Sequence, residues 1–448
     1  MNLELQNLKR DFLRYAAASM LAQWIFALYS AVDGMFVARG VDEVALSAVN
    51  LASPYISFLF SVSLLFTAGT STAASIYLGK GEKEKADRVV TQNLILLTLI
   101  SAALTLIVLA MPERIAAFLG ATELTMPYVR DYLLRLAPFS FGFVLSYAFE
   151  VLLKTDGRPR LATFAIILGC LIHCLLDIVL ILHLGWGIKG AATATGTAQV
   201  LLVAAYILYF ISPKATLRWH AAPPDWAELR RVFCLGLPAG LTEFSAGITT
   251  FLFNHMILRY LGEEALISYT VISYVNMIVV MGMAGIAQGA QPMISYYYGR
   301  GEEDAVRRLL QYTLLSAMAL GTIAFALSQA GAGLLVGLFI RGELEPLRSS
   351  SAACFRVFAV SFLLVGLNVG ASGCLAAIER AGRSFAVSLA RGLVFIAASL
   401  WALTAVFGGT GIWWAATLSE ALCLALSLPF LRKERPDTPG GVSAGRKR

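Results

Sequence analysis

The sequence predicts an all-α integral membrane fold: twelve transmembrane helices in two pseudo-symmetric six-helix lobes. Three observations carry that prediction. Of the 448 residues, 58% are hydrophobic and only 14% charged, with a mean hydropathy of +0.73, against roughly 25% charged in soluble domains. Apolar runs of about 20 residues recur from end to end, each broken by a short charged or Gly/Pro-containing stretch, which is the pattern of helices rather than of alternating barrel strands. The second half of the chain also repeats the first.

In chain order the spans fall at 12–38, 48–79, 88–111, 126–153, 160–184, 187–212, 232–260, 266–298, 307–340, 350–378, 384–407 and 411–431, the ninth long enough to suggest a break. Lys9, Arg10 and Arg14 lead into a first helix too long for a signal-peptide core, so the N-terminus is expected to stay inside. Loops after spans 2, 4, 6, 8 and 10 hold sixteen Lys and Arg, among them Lys80, Arg158, Arg218, Arg300 and Arg383, whereas the alternate loops hold six. The positive-inside rule assigns this basic face, with both termini, to the cytoplasm of a cell whose plasma membrane the chain spans. The expected division is an N-terminal lobe at 1–212, a linker at 213–231, a C-terminal lobe at 232–433 and a basic tail at 434–448. Pro223–Pro224 and the surrounding charges mark the linker as an exposed connector.

The repeat is read residue by residue. "YLGKGE" (Tyr77 to Glu82) returns as "YYGRGE" (Tyr297 to Glu302), and the same offset of 220 aligns Gly69 with Gly289 and Arg39 with Arg259. "DGR" at Asp156–Arg158 meets "AGR" at Ala381–Arg383, and "GIKGAAT" at Gly187–Thr193 meets "GIWWAAT" at Gly411–Thr417. Six spans per repeat is an even number, so both halves start on the same face and are related by an axis along the membrane normal. Two lobes so arranged enclose a central cavity and can rock to open it alternately to either side.

Composition also excludes function classes. The net charge of +7 is mostly a topology signal, so the partners are the lipid bilayer, with its anionic headgroups, and a small organic solute, not nucleic acid. All six cysteines lie in apolar spans and read as small hydrophobes, and Cys170 with Cys174 lacks the further ligands of a metal site. No HExxH, GxSxG or GxxxxGK[ST] motif and no filter-like segment occurs, so neither an enzyme, an ATP-driven pump nor a channel is indicated, and no cofactor is expected. Two lobes in one chain make a functional monomer the simpler expectation.

"VDGMFVARG" closing the first span, the "YLGKGE" and "YYGRGE" loops, "KTDGRPR" after span 4 and "LDIVLILHLGWGIKGAATAT" across spans 5 and 6 resemble the multidrug and toxic compound extrusion (MATE) family of the multidrug/oligosaccharidyl-lipid/polysaccharide flippase superfamily. The likeness covers residues 10 to 430. It implies a V-shaped fold and export of amphipathic, often cationic compounds in exchange for inward H⁺ or Na⁺. It further implies that Asp33 and Asp177, the first- and fifth-span acids, form a coupling-ion site in the N-terminal lobe with Thr195, and that Glu243 matches a seventh-span acid found in part of the family. Where sodium-binding members commonly carry asparagine one turn before the fifth-span acid, this chain has His173, which favours H⁺. No proline occurs between Met1 and Ser53, so a mechanism that bends the first helix at a proline does not carry over. The alternatives are Na⁺-coupled drug export, or a flippase or exporter of a lipid-linked or other specific metabolite within the superfamily.

The intramembrane polar residues support these roles on their own chemistry. Asp33 and Asp177 interrupt apolar helices where a charge is expensive, and His173 stands one turn before Asp177, so the two can titrate as a unit. Glu243, between Pro238 and Gly247, can bind a cationic substrate, and Tyr274, Asn276, Met277, Met281 and Gln288 of span 8 offer an adaptable wall. Arg391 and Glu420, at similar depth in spans 11 and 12, are expected to pair within the C-terminal lobe as a packing element. Glu150/Lys154, Asp131/Arg135 and Glu379/Arg383, each four residues apart near span ends, read as interfacial pairs.

Overall fold

The computed structural model describes residues 7–40, 43–121, 123, 125–220, 223–337 and 345–432. The first lobe begins with α1 (Leu8–Gly40), α2 (Glu43–Gly79), α3 (Lys83–Ala110) and a short α4 (Pro112–Phe118). The fourth span is α5 (Met126–Leu136) and α6 (Ser140–Thr155), the fifth is α7 (Pro159–Asp177) continued by a π turn at Ile178–His183, and the sixth is α8 (Gly187–Ile211). In the second lobe α9 (Trp226–Tyr260), α10 (Glu263–Gly299) and α11 (Glu303–Gly337) are followed by α12 (Glu345–Phe358) with α13 (Phe362–Ala377). α14 (Ala381–Leu389) runs through a π turn at Ala390–Val394 into α15 (Phe395–Phe407), and α16 (Ile412–Arg432) ends the bundle.

Among the described residues these elements make the twelve expected spans. Ten stretches qualify as membrane-crossing by length and hydropathy, the one from Ala381 to Leu431 containing two spans, and α1 completes the set. The break expected in span 9 is absent from its described part, because α11 is continuous over 35 residues, about 52 Å at 1.5 Å per residue, which tilt can accommodate. Span 4 is interrupted instead: Pro138 has no N–H to donate, and the helix tightens to a 3₁₀ turn at Ala137–Phe139.

Two cores sit inside two lobes. One gathers Leu59, Phe143 and Leu153 with others from α2 to α8, and the other gathers Phe253, Phe362 and Trp413 from α9 to α16. The first helix stands apart from both: Phe12 and Tyr15 pack on Ile286, Met293 and Tyr297 of α10, in the opposite lobe.

The lobes meet over the half of the bundle nearest the basic face, through glycines. A Cβ on Gly69 of α2 would lie 1.9 Å from the Val232 carbonyl of α9, and one on its repeat partner Gly289 would lie 2.6 Å from the Tyr15 carbonyl of α1. Gly79 against Tyr296 and Gly299 against Ile76 repeat the arrangement near the ends of α2 and α10. Only residues without a side chain allow these backbones to touch. Side chains add to the seal: Arg231 Nη1 donates to Tyr77 Oη at 2.8 Å, and that hydroxyl donates to Glu228 at 3.1 Å.

Several sequence expectations need correcting. Glu379 pairs with Arg231, and Asp131 with Lys189 at 3.0 Å, since helix rotation gives each a partner on another element. Glu150 and Lys154 do pair, but inside the lobe, with Lys154 only 1% exposed. The linker is not a free connector along its first part. Asp156 accepts hydrogen bonds from Tyr209 Oη, Thr216 N and Leu217 N, and Asp87 accepts from Arg218 N, which ties residues 216–218 to the N-terminal lobe.

Candidate functional site

Beyond the glycine contacts the lobes diverge and leave a cavity of about 790 Å³. It reaches from Leu64 and Gln288, just above the sealed half, to Asn254 and Thr270, close to the opposite ends of α9 and α10. That volume suits a drug-sized molecule. Phe26, Phe60, Tyr147 and Tyr206 on one wall face Phe253, Met277 and Met281 on the other. Aromatic rings and thioethers offer contact area without fixing one ligand shape.

All six residues singled out for substrate, Glu243, Tyr274, Asn276, Met277, Met281 and Gln288, line this cavity. Their positions follow from helix geometry: residues 274, 277, 281 and 288 recur at three-, four- and seven-residue steps, on one face of α10. Gln288 accepts a hydrogen bond of 2.9 Å from Gln23 of α1, so the cavity floor is stitched across the lobes. Glu243 makes no hydrogen bond or ion pair with any described residue.

The residues expected from the sequence to couple the ion lie deeper in the N-terminal lobe. His173 lines the cavity, whereas Asp177, fully buried, stands one turn farther from the basic face, where α7 gives way to the π turn. The His173 Nε2 to Asp177 Oδ2 distance is 3.4 Å, and Thr195 Oγ1 lies 3.0 Å from the same nitrogen. The Thr195 hydroxyl donates its single proton to the Ala191 carbonyl at 2.8 Å. Its oxygen is then left to accept from the Nε2-protonated tautomer of His173. Neither oxygen of Asp177 has a hydrogen-bond partner among the described residues. Burying a carboxylate in this way is costly unless a proton or a cation accompanies it. The site can thus take up one positive charge next to a hydrogen-bonded His–Thr pair. The side chain of Asp33, on α1, lies outside the described residues.

The structure adds residues that sequence reasoning did not place here. Gln23 and Tyr147 line the cavity, and Glu150, read as interfacial, does so as well. The Arg391–Glu420 pair forms as expected, Nε to Oε1 at 2.8 Å, but it borders the cavity rather than being sealed in the lobe. The signal for Gln23 was present: it is a lone amide in an otherwise apolar stretch of α1. No cluster of three or more His, Cys, Asp or Glu able to hold a metal occurs among the described residues.

The family model MatE matches residues 18–179 and 238–401, once in each lobe. The chain belongs to the MatE family. Multidrug export protein MepA of Staphylococcus aureus (strain bovine RF122 / ET3-1) is 23% identical over 95% of this chain and 94% of its own length. The MepA of Staphylococcus haemolyticus (strain JCSC1435) is 23% identical over 94% and 92%. Among solved structures, an outward-facing multidrug resistance MATE family transporter of the MOP superfamily superposes with a TM-score of 0.89 at 21% identity, covering 95% of both chains. A MOP superfamily transporter from Pyrococcus furiosus, described as having a binding pocket of reversed polarity, gives the same TM-score, identity and coverage. Both share the two-lobe, twelve-helix fold.

Proposed function

We propose that this MatE family protein is a proton-coupled antiporter that exports amphipathic, cationic organic compounds across the plasma membrane by alternating access. One observation carries the proposal: a drug-sized cavity between the lobes, closed at the basic face, holds the unpaired carboxylate of Glu243 among aromatic and methionine side chains. Relatives named for multidrug export over nearly the full chain length support the same reading. With the basic face in the cytoplasm, the sealed half is the inner gate and the cavity opens outward.

In this reading a proton from outside reaches Asp177, with Asp33 as its partner acid. Protonation stabilises one packing of the N-terminal lobe over the other, and substrate leaves Glu243 to the outside. The proton must bind the two lobe arrangements unequally, or it drives nothing. His173 and Thr195 hold the path between cavity and carboxylate. His173, occupying the place of a sodium-ligand asparagine, favours H⁺.

The test is uptake of a fluorescent organic cation into inside-out vesicles under an imposed pH gradient or an imposed Na⁺ gradient. Wild type should respond to the pH gradient alone, while Asp33→Asn and Asp177→Asn, folded by their melting curves, should not. Uptake driven by Na⁺ alone would overturn the proton assignment.

A further inference from the structure

Among the described residues that line the cavity, Arg391 is the one arginine or lysine. Its Nε donates to Glu420, which also accepts from Asn368 Nδ2 at 2.7 Å, so one edge of the guanidinium is fixed. The two terminal nitrogens have no hydrogen-bond partner among the described residues, and the side chain remains 17% exposed. A planar fork anchored through Nε presents those nitrogens in the geometry that matches a carboxylate.

Its place in the fold is equally specific. Arg391 lies in the π turn at Ala390–Val394, and π turns inside α-helices recur at functional sites. The next residue, Gly392, packs so closely on Ser245 of α9 that a Cβ would lie 2.5 Å from the serine Cβ. Glu243 stands two residues before Ser245, about 200° round α9 at 3.6 residues per turn, and lines the same cavity. The cavity therefore holds a carboxyl group with no partner among the described residues and a half-satisfied guanidinium on adjoining helices, with no ion pair between them. By the repeat offsets of 224 and 225, Arg391 corresponds to Ile166 or Ile167 and Glu420 to Thr195 or Gly196. The N-terminal lobe thus holds the same fold without these charges. A pair introduced on one side only, at the cavity wall, is not explained by the architecture.

From this juxtaposition, and resting on the export reading of the same cavity, we infer that the preferred substrates are zwitterionic amphipaths. Their cationic centre sits at Glu243 and their carboxylate bridges to the terminal nitrogens of Arg391. Glu420 cancels the charge of Arg391, so a simple anion gains no net attraction and meets Glu243. A molecule bearing both groups satisfies both ends.

Rhodamine 110 and its methyl ester rhodamine 123 differ only in whether the carboxylate is free, and they make the matched test. Binding of each dye to purified full-length protein at pH 7 is followed by fluorescence polarisation. By hydrophobicity alone the ester should bind more tightly. Recognition by Arg391 instead makes the acid bind about tenfold more tightly than the ester, the scale of a charge-assisted hydrogen bond. Arg391→Gln should bring that ratio to about one or below, because it removes the partner of the free carboxylate and leaves Glu420 uncompensated beside the cationic dyes. Arg391→Lys, which keeps the charge and loses the fork, should fall between. A wild-type ratio at or below one, or a ratio that neither variant alters, overturns the inference. If the pH gradient still drives the ester into vesicles, the export reading survives that result; if neither dye binds, both fall. Should Arg391→Gln fail to fold, the wild-type ratio and the lysine variant decide.

Discussion

Replacing Gly236 by alanine should unseat the closed face of the molecule. A Cβ at Gly236 would stand 1.6 Å from the Leu65 carbonyl of α2, and real Cβ contacts essentially never fall under 3.0 Å. α9 and α2 must therefore part by about 1.4 Å. The obstacle is backbone, so no rotamer change relieves it. Overpacking of this kind costs about 1–3 kcal/mol, and the whole of it falls on the arrangement in which α2 and α9 touch. That is a shift of roughly 5- to 150-fold in the equilibrium between closed and open basic face. The assay is a pulsed electron-spin distance measurement between labels at Glu82 and Glu302, after α2 and α10, in a variant freed of native cysteines. The distance distribution should broaden towards longer separations in Gly236→Ala. Gly247→Ala is the control, because a Cβ there meets nothing within 4 Å on the same helix. An unchanged distribution in Gly236→Ala, or an equal change in the control, would refute the reasoning.

Three further outcomes follow from named contacts. Asp156→Ala strips the acceptor from Tyr209, Thr216 N and Leu217 N, and should cost about 2–4 kcal/mol, seen as a lowered melting temperature and faster proteolysis near Arg218. Tyr77→Phe removes two cross-lobe hydrogen bonds, one accepted from Arg231 and one donated to Glu228, while Arg231 keeps Glu228 and Glu379. Its effect should be about 1–2 kcal/mol, and because the backbones of α2 and α9 can still touch it should shift the label distances less than Gly236→Ala does. Glu243→Gln should weaken binding of a permanently charged organic cation about tenfold or more, on the scale of a lost charge-assisted contact, and should leave the melting temperature near wild type because no described residue pairs with Glu243. Equal affinities for the cation in calorimetry would remove Glu243 from the binding site.

Much of the fold was legible because a membrane imposes one strong rule, that every span closes its own backbone hydrogen bonds, and because the repeat kept its glycines. Gly69 and Gly289 align in sequence and meet opposite lobes in space. The i,i+4 spacing of His173 and Asp177 gave their adjacency directly. What stayed illegible was rotation about helix axes. Depth estimates placed Arg391 level with Glu420 but could not tell a sealed pair from one at a cavity wall, and the same spacing that paired Glu150 with Lys154 said nothing of burial. The tie between Asp156 and the linker uses backbone N–H groups, which no residue pattern records. Span 9 misled because length was read as a break, whereas a long helix can simply extend or tilt.

The two lobes have specialised by changing opposite positions of one template. His173 and Asp177 correspond to Ala397 or Ala398 and to Trp401 or Ala402, so the second lobe has no counterpart of the buried acid. Arg391 corresponds to isoleucine and Glu420 to Thr195 or Gly196, so the first lobe has no counterpart of the guanidinium. Buried charges are expensive in either lobe, and a requirement of the fold itself would recur in both. Separate placement divides the work between the charge sets. In the proposed reading the first lobe senses the ion while the second grips the solute, and among the described residues the contacts of α1 with α10 and of α2 with α9 and α10 are the long seams through which one can act on the other. Substitutions along those seams, Gly236→Ala foremost, should therefore weaken the dependence of dye release on the pH gradient and shift the apparent affinities for dye and for protons together, because each ligand binds the two lobe arrangements unequally. A seam variant that altered one affinity strongly and left the other at wild type would place the coupling inside a lobe instead.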